Sequence, residues 1–487
     1  MRFETASGLF VETGHAPDRP AVIGADRTLS WQAFRHEVDH FVAQARALGA
    51  EADCPITLCG HKEAAFVVAL TGCLALGAPF LPIDIAVPLA RRRQIEQQAR
   101  PLLAYDCASG QFRRLEESPR PLAEKGLAYI LFTSGSTGQP KGVQIGRESA
   151  AELARWLGES FGLPPAPVFF NLAPFNFDLS MVDSFGMLEL GGTVVLNDAD
   201  TQQNGPALAQ RACDTGAQIW VSTPSAAFQR FLDPEFCAAR MPDLTTFLFC
   251  GEVLPPAVPR TLRRRFPQAR ILNSYGPTEI TVINTLVEIT DDIMARYPVL
   301  PVGRSKPRAW VDIDPANGEI LAFGENVMRG YLNRPDLDAE KMLRRNGRRG
   351  FRTGDLGRLE ADGLLFCAGR LDDQIKLHGY RIELGEVDAA LARLPGVAQA
   401  AAIALRKSDG AVIRLVGCYQ PETGMEIGDW RQALGAALPA YMIPSEVLAL
   451  PALPLTPNGK IDRRRLLELY SGNTRACDAT NPSPAHS

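Results

Sequence analysis

The run LAYILFTSGSTGQPKG, residues 127–142, decides how the rest of the chain is read. Its first part is an apolar strand. Its second part holds six Gly, Ser or Thr residues before a single charge, Lys141. A strand that empties into a loop with so little side chain lets backbone N–H groups and hydroxyls approach an anion closely. Glycine permits the special dihedrals, and concave runs of N–H groups form nests for phosphate oxygens. Read alone, the loop is either such a cradle or a plain surface turn. It misses the P-loop pattern G-x-x-x-x-G-K-[ST], and it misses the G-x-G-x-x-G of dinucleotide folds. A phosphate site here belongs to another fold.

Outward from this loop, AYILFT (128–133), GTVVLN (192–197), QIWVS (218–222), TFLFCGE (246–252) and ARILNSY (269–275) read as strands. ESAAELARWLGESF (148–161) reads as a helix, with Leu153, Trp156 and Leu157 at helical spacing. The alternation predicts a large N-terminal α/β domain of layered sheets and helices. Near residue 370 the pattern changes. GRLDDQIKLHGYRIELGEVDAALARLPG passes from polar loop to short strand to helix, with Val387, Leu391 and Leu394 on one face. This predicts a small mobile α+β C-terminal domain. The expected divisions are 1–371, 372–470 and a small, polar, disordered tail at 471–487.

A length of 487 residues exceeds one ordinary core, which agrees with two domains. Net charge is -4 and no long Lys/Arg run occurs, which argues against a nucleic-acid partner. No apolar run approaches the ~18 residues that span a bilayer, and MRFETASGLFVETGH at the start is no signal peptide. No membrane insertion and a cytoplasmic location are expected. The cysteines form no C-x-x-C pair, so free thiols of a reducing compartment are expected.

Joined to later segments, the loop resembles the signature of the adenylate-forming superfamily, which includes acyl-CoA synthetases, luciferases and amino-acid adenylation domains. The other motifs follow in order: LALGAPFLPID (74–84), FDLS (177–180), NSYGPTE (273–279), GEILAFGENVMRGYL (318–332), FRTGDLG (351–357), GRLDDQIKLHGYRIELGEVD (369–388), LPAYMIP (438–444) and NGKIDR (458–463). Within that superfamily the chain most resembles stand-alone D-alanine–D-alanyl carrier protein ligases and single nonribosomal peptide synthetase adenylation domains. FDLSMVD, FLFCGEVLP and ARYPVLPVG carry the closer similarity. The resemblance implies that a small amino acid is activated by ATP, with Mg2+, as an aminoacyl-adenylate. The acyl group then passes to the phosphopantetheine thiol of a separate carrier protein.

The resemblance also implies roles for single residues. Lys460 in NGKIDR would bridge the attacking carboxylate and the α-phosphate, where a cation offsets two anions brought together. Thr133, Ser134, Gly135, Ser136, Thr137, Gly138 and Lys141 would cradle the β- and γ-phosphates. Tyr275 would stack on adenine near Asn273, with Gly251, Glu252 and Gly276 also on the nucleotide. Thr278 would approach the α-phosphate, and Glu279 would bind the metal. Asp355 would accept both ribose hydroxyls, with Arg370 beside it. Asp372 would be the hinge, and Gly379 would line the thiol tunnel.

Asp178 decides the substrate class. The resemblance implies this, because in amino-acid-activating relatives this aspartate pairs with the substrate α-ammonium, and a buried carboxylate without a cationic partner is costly. The rest of the implied pocket is Leu179, Val182, Val221, Leu248, Cys250, Ser274, Val282 and Ile283. With no second charge, the natural guest is small, neutral and apolar. Cys250 resembles the thiol found beside the substrate in D-alanine ligases, which favours D-alanine. SMV at 180–182, where the relatives more often have SVM, together with Ser274 and Ile283, keeps L-alanine, glycine, 2-aminobutyrate, L-proline and a β-amino acid as alternatives. An acid:CoA ligase and a catalytically silent binding protein of the same fold are the competing readings.

Overall fold

The computed structural model describes residues 2–4, 10–12, 17–118, 120–135, 139–407, 411–422, 427–455 and 461–479. The chain forms two compact units. The first comprises Met1–Ile85, Arg92–Thr133 and Lys141–Asp372; the second comprises Ala86–Arg91, Ser134–Pro140 and Asp373–Ser487. A division by chain order alone assigns residues 86–91 and 134–140 to the large domain, whereas they group with the second unit.

In the first unit, Phe80–Asp84, Ile56–Gly60 and Leu103–Asp106 pair in parallel within one sheet. Parallel strands are covered on both faces, so their sequences are nearly continuous apolar runs. The helix Ala64–Leu76 is buried at almost every position, which is why it is apolar all round rather than amphipathic. Leu127–Thr133 and Lys141–Gly146 join the same sheet as an antiparallel pair, in register at Lys141↔Thr133. They bracket the glycine-rich loop.

A second sheet has a parallel centre of Val168–Asn171, Ile219–Ser222, Thr246–Phe249 and Arg270–Tyr275. Open α/β sheets bind ligands outside the carboxyl ends of their strands. The segments leaving these four ends carry Asp178, Thr223, Cys250 and the turn Thr278–Ile280. The strand expected over 246–252 stops at Phe249, and Gly251 takes φ 92° in the loop beyond. A third, antiparallel sheet includes Glu319–Gly324, Arg348–Leu359 and Leu365–Arg370.

The second unit has a three-stranded sheet of Val397–Arg406, Val412–Pro421 and Glu446–Ala449, and a hairpin of Gln374–Leu377 and Tyr380–Glu383. Its helix Leu384–Leu391 ends before Leu394, yet Val387, Leu391 and Leu394 share one buried cluster. The tail expected to be disordered from residue 471 is corrected in its first part: the helix Arg463–Ala479 runs into it. Buried Leu466 and Tyr470 anchor the helix, and extending a formed helix costs far less than nucleating one. Residues 480–487 lie outside the described residues.

Candidate active site

Asp355 organises one side of the site. It lies in the strand Arg348–Leu359 and is buried. The Tyr275 hydroxyl donates to its Oδ2 at 2.7 Å, and Arg370 Nη1 donates to its Oδ1 at 2.5 Å. Burial pushes the Tyr275 phenol well above its ordinary pKa, so it stays a donor. Thr353 Oγ1 accepts from the Asp355 N–H at 3.0 Å and donates to Ile320 O at 2.8 Å, which ties Asp355 to the neighbouring strand. Arg370 also grips Asp372, with Nε to Oδ1 at 2.6 Å and Nη2 to Oδ2 at 2.8 Å. One guanidinium fork therefore joins the expected ribose carboxylate to the expected hinge residue, in the fixed geometry that arginine provides.

Leu179, Val182, Val221, Leu248, Cys250, Tyr275, Val282 and Ile283 fall in one cluster of buried side chains. They come from three neighbouring strands, the loop after Tyr275 and the start of one helix, and they share that core with residues from across the first unit. Ser274 differs from the rest: its hydroxyl donates to Phe249 O at 2.8 Å and is engaged within the sheet. Cys250 Sγ donates to Val282 O at 3.7 Å. Thr281 and Val282 take φ of 59° and 65°, left-handed values that β-branched residues rarely adopt. The surroundings hold this strain. Thr281 Oγ1 donates to Asn326 O at 2.7 Å, Asn326 Nδ2 donates to Asn284 Oδ1 at 2.8 Å, and Lys306 Nζ donates to Ile283 O at 3.3 Å. Burial lowers the Lys306 ammonium to about 7.

Asp178 is half-buried, just before the helix Ser180–Leu190. Beside it, Tyr129 is pushed well above its ordinary pKa, by burial first and by the Asp178 charge second. The Tyr129 hydroxyl is buried with no hydrogen-bond partner among the described residues.

Glu279 is fully buried in the turn Thr278–Ile280 and accepts from the Tyr331 hydroxyl at 2.7 Å on Oε1. Lys141 Nζ lies 5.8 Å from the centre of the same Tyr331 ring. Tyr331 therefore connects the expected metal carboxylate to the expected phosphate lysine. Among the described residues, no group of three or more His, Cys, Asp or Glu could hold a metal ion. A Mg2+ ion held mainly by phosphate and water needs only one or two protein carboxylates, and Glu279 fits that demand. Thr133 Oγ1 and Asn273 Oδ1 are buried without partners among the described residues. Buried polar atoms are normally satisfied, which makes these two candidates for contact with a bound group. Asn273 Nδ2 is already used, on Pro301 O at 2.8 Å, and Glu252 Oε2 accepts from Ser225 N at 3.0 Å. Gly251 and Gly276 stand at the carboxyl ends of the same sheet.

Within the second unit, Ser134 Oγ donates to Arg381 O at 3.0 Å and accepts from Glu383 N at 3.2 Å. Gly135 N donates to Glu386 Oε2 at 3.1 Å. A Cβ on Gly135 would lie 2.0 Å from Gln139 O, so the loop closes only around glycine. Gly379 takes φ 85° and His378 takes 51°, which makes a two-residue hairpin turn between Leu377 and Tyr380. Ser136, Thr137, Gly138 and Lys460 lie outside the described residues.

Sequence reading missed several residues that hold this site. Asn326 and Tyr331 stand in the motif at 318–332 and Thr353 in that at 351–357, whereas Lys306 stands in none; all four act through contacts between distant segments that spacing along the chain does not show. Lys62, Asn171 and Asp183 were missed for the same reason. The signals were a lone lysine between two apolar runs and a second aspartate in FDLSMVD.

The family described as AMP-binding enzyme matches residues 10–105 and 95–332, and its C-terminal domain matches residues 386–460. The D-alanine–D-alanyl carrier protein ligase of Bacillus licheniformis is 34% identical over 486 residues, covering 93% of this chain and 96% of that protein. Among solved structures, holo-PA1221, an NRPS protein containing adenylation and PCP domains, is 27% identical with a TM-score of 0.77, covering 93% of this chain and 82% of that one. The amide bond synthetase McbA from Marinactinospora thermotolerans shares the fold, with a TM-score of 0.80 at 21% identity, covering 93% of this chain and 97% of that one.

Proposed function

The chain belongs to the AMP-binding enzyme family, and from that premise we propose that it activates D-alanine with ATP and delivers it to a separate carrier protein. The observation that carries this reading is the likeness to a D-alanine–D-alanyl carrier protein ligase over 93% of this chain and 96% of the relative. The buried apolar set beside Asp178 supports a small neutral guest.

In this reading Asp178 pairs with the substrate ammonium, and the cluster around Cys250 and Val282 receives the methyl group. Asp355, oriented by Tyr275 and Arg370, accepts the ribose hydroxyls. Lys141 and the glycine-rich loop receive the outer phosphates. The substrate carboxylate attacks the α-phosphorus, the phosphoanhydride bond breaks, and pyrophosphate leaves. Lys460 offsets the charge that develops between the two anions. Glu279 would hold Mg2+, which would supply positive charge to offset that of the phosphates. In the second step a phosphopantetheine thiolate attacks the acyl carbon, the thioester forms, and AMP leaves. Asp372 is the hinge, and the Gly379 hairpin lines the path of the thiol. A cytoplasmic location belongs to the same reading. The described cysteines are free thiols, and no described helix is long and apolar enough to cross a membrane.

A pyrophosphate-exchange screen over small D- and L-amino acids tests the proposal. D-alanine is expected to give the highest kcat/KM, and the purified chain to load it onto a phosphopantetheinylated carrier. Higher kcat/KM for glycine, L-alanine or L-proline would reassign the substrate. Exchange that depends on a carboxylic acid with no amino group would overturn the role of Asp178.

A further inference from the structure

Lys62 follows the strand Ile56–Gly60 and is buried, 1% exposed. Its Nζ donates to Ala173 O at 2.5 Å and to Asn171 Oδ1. It also lies 5.2 Å from the centre of the Phe175 ring, which itself stacks on Phe66 at 4.2 Å. Asn171 passes the connection on: its Nδ2 donates to Asp183 Oδ2 at 2.7 Å. Asp183 is fully buried in the helix Ser180–Leu190, and its Oδ1 has no partner among the described residues. Asn171 ends its strand and Asp183 stands in the first turn of that helix. Between them runs NLAPFNFDLSMVD, the segment that presents Asp178.

We propose that Lys62, Asn171 and Asp183 form a charged brace that fixes both ends of the Asp178 segment, so that Lys62 and Asp183 are positioning residues for the amino-acid substrate. The proposal rests on the reading of Asp178 as the ammonium partner. Lys62 holds the start of the segment through the Ala173 carbonyl and the Phe175 ring. Asp183 holds its end through the helix. Asn171 suits the middle because its amide both accepts and donates. A buried lysine and a buried carboxyl linked in this way tolerate joint removal better than the loss of one, which strands the other without its partner.

The brace also carries a pH dependence. Burial lowers the Lys62 ammonium to about 7 and raises the Asp183 carboxyl to about 7. The other charged groups acting on Lys62 are Asp84, which is bonded to His61 Nδ1 at 2.7 Å, and Asp198. Below neutrality Asp183 holds a proton while Lys62 keeps its ammonium, leaving net positive charge behind a segment meant to receive a cation. Above neutrality both protons are lost and the sign reverses. The D-alanine KM is therefore expected to fall as pH rises through about 7, with no matching change in the KM for ATP.

The experiment is D-alanine-dependent pyrophosphate exchange between pH 6 and 8.5, roughly one to two units either side of the brace's titration. It uses the full chain, Lys62→Met, Asp183→Asn, the double variant and Asp178→Asn. A small misplacement of a binding group costs up to about 10²-fold. Each single brace variant is expected to raise the D-alanine KM about tenfold while the KM for ATP stays within about twofold. The double variant should recover most of the loss and show a flat pH profile. Parallel changes in both KM values, additive losses in the double variant, or an unaltered pH profile would overturn the brace. If Asp178→Asn leaves the D-alanine KM unchanged, the reading of Asp178 fails and the proposal with it; if Asp178→Asn raises that KM and the brace variants do not, the brace alone fails.

Discussion

The Tyr275 hydroxyl reaches Asp355 Oδ2 at 2.7 Å across 80 residues of chain. It spans from the end of a parallel strand in one sheet to an antiparallel strand in another. The Tyr275 hydroxyl therefore orients the Asp355 carboxylate. A hydrogen bond to a charged group contributes about 1.5–3 kcal/mol. Tyr275→Phe keeps the ring and is expected to raise the KM for ATP about tenfold, with the amino-acid KM little changed. Saturation curves for both substrates in pyrophosphate exchange check this, and an unchanged KM for ATP would count against it.

Lys460→Ala is expected to lower adenylate formation by about 10²–10³-fold, the usual loss when a group aimed at developing charge is removed. The melting temperature should not move. Wild-type exchange in this variant would remove Lys460 from the chemistry.

Asp372→Pro is expected to slow carrier thioester formation more than adenylate formation, because hinge positions absorb backbone change. Asp372→Ala is the companion variant, since it loses the Arg370 bond while keeping backbone freedom. Equal losses in both half-reactions for the proline variant would argue against a hinge at this position.

Stability should depend on pH through the buried brace. The folded state keeps a proton on Asp183 between about 4 and 7 that the unfolded chain has released, so this contribution falls as pH rises over that window. Lys62 has released, between about 7 and 10.5, a proton that the unfolded chain keeps, so its contribution rises with pH there. The pair contributes least near neutrality. Relative to the wild type, the Lys62→Met/Asp183→Asn variant should therefore be most favoured near pH 7 and less so on either side. Differential scanning calorimetry from pH 5 to 9, about two units each way, measures the difference; a flat difference would contradict it.

Much of the site was legible because its chemistry sits in short contiguous motifs. YGPTE and RTGD each place several candidate groups within a few residues, the first from a strand end into the turn Thr278–Ile280, the second inside the strand Arg348–Leu359. The strands at 219–222 and 270–275 were legible too, since burial on both faces writes an unbroken apolar run. Strand ends and helix ends were less so. The strand at 246 stops early where Gly251 turns, and the helix at 463 runs on where a polar composition suggested disorder.

By itself the sequence determined the fold class, the order of the motifs and the residue types available for the chemistry. Those depend on periodicity and on neighbours along the chain. Only the tertiary structure decided which side chains hold the reacting groups in place. Tyr331 on Glu279, Arg370 between Asp355 and Asp372, and Lys62 beneath the Asp178 segment all join residues from separate segments. A buried hydrogen bond depends on distance in space and on exclusion of water, and neither is written in the spacing of residues along a chain.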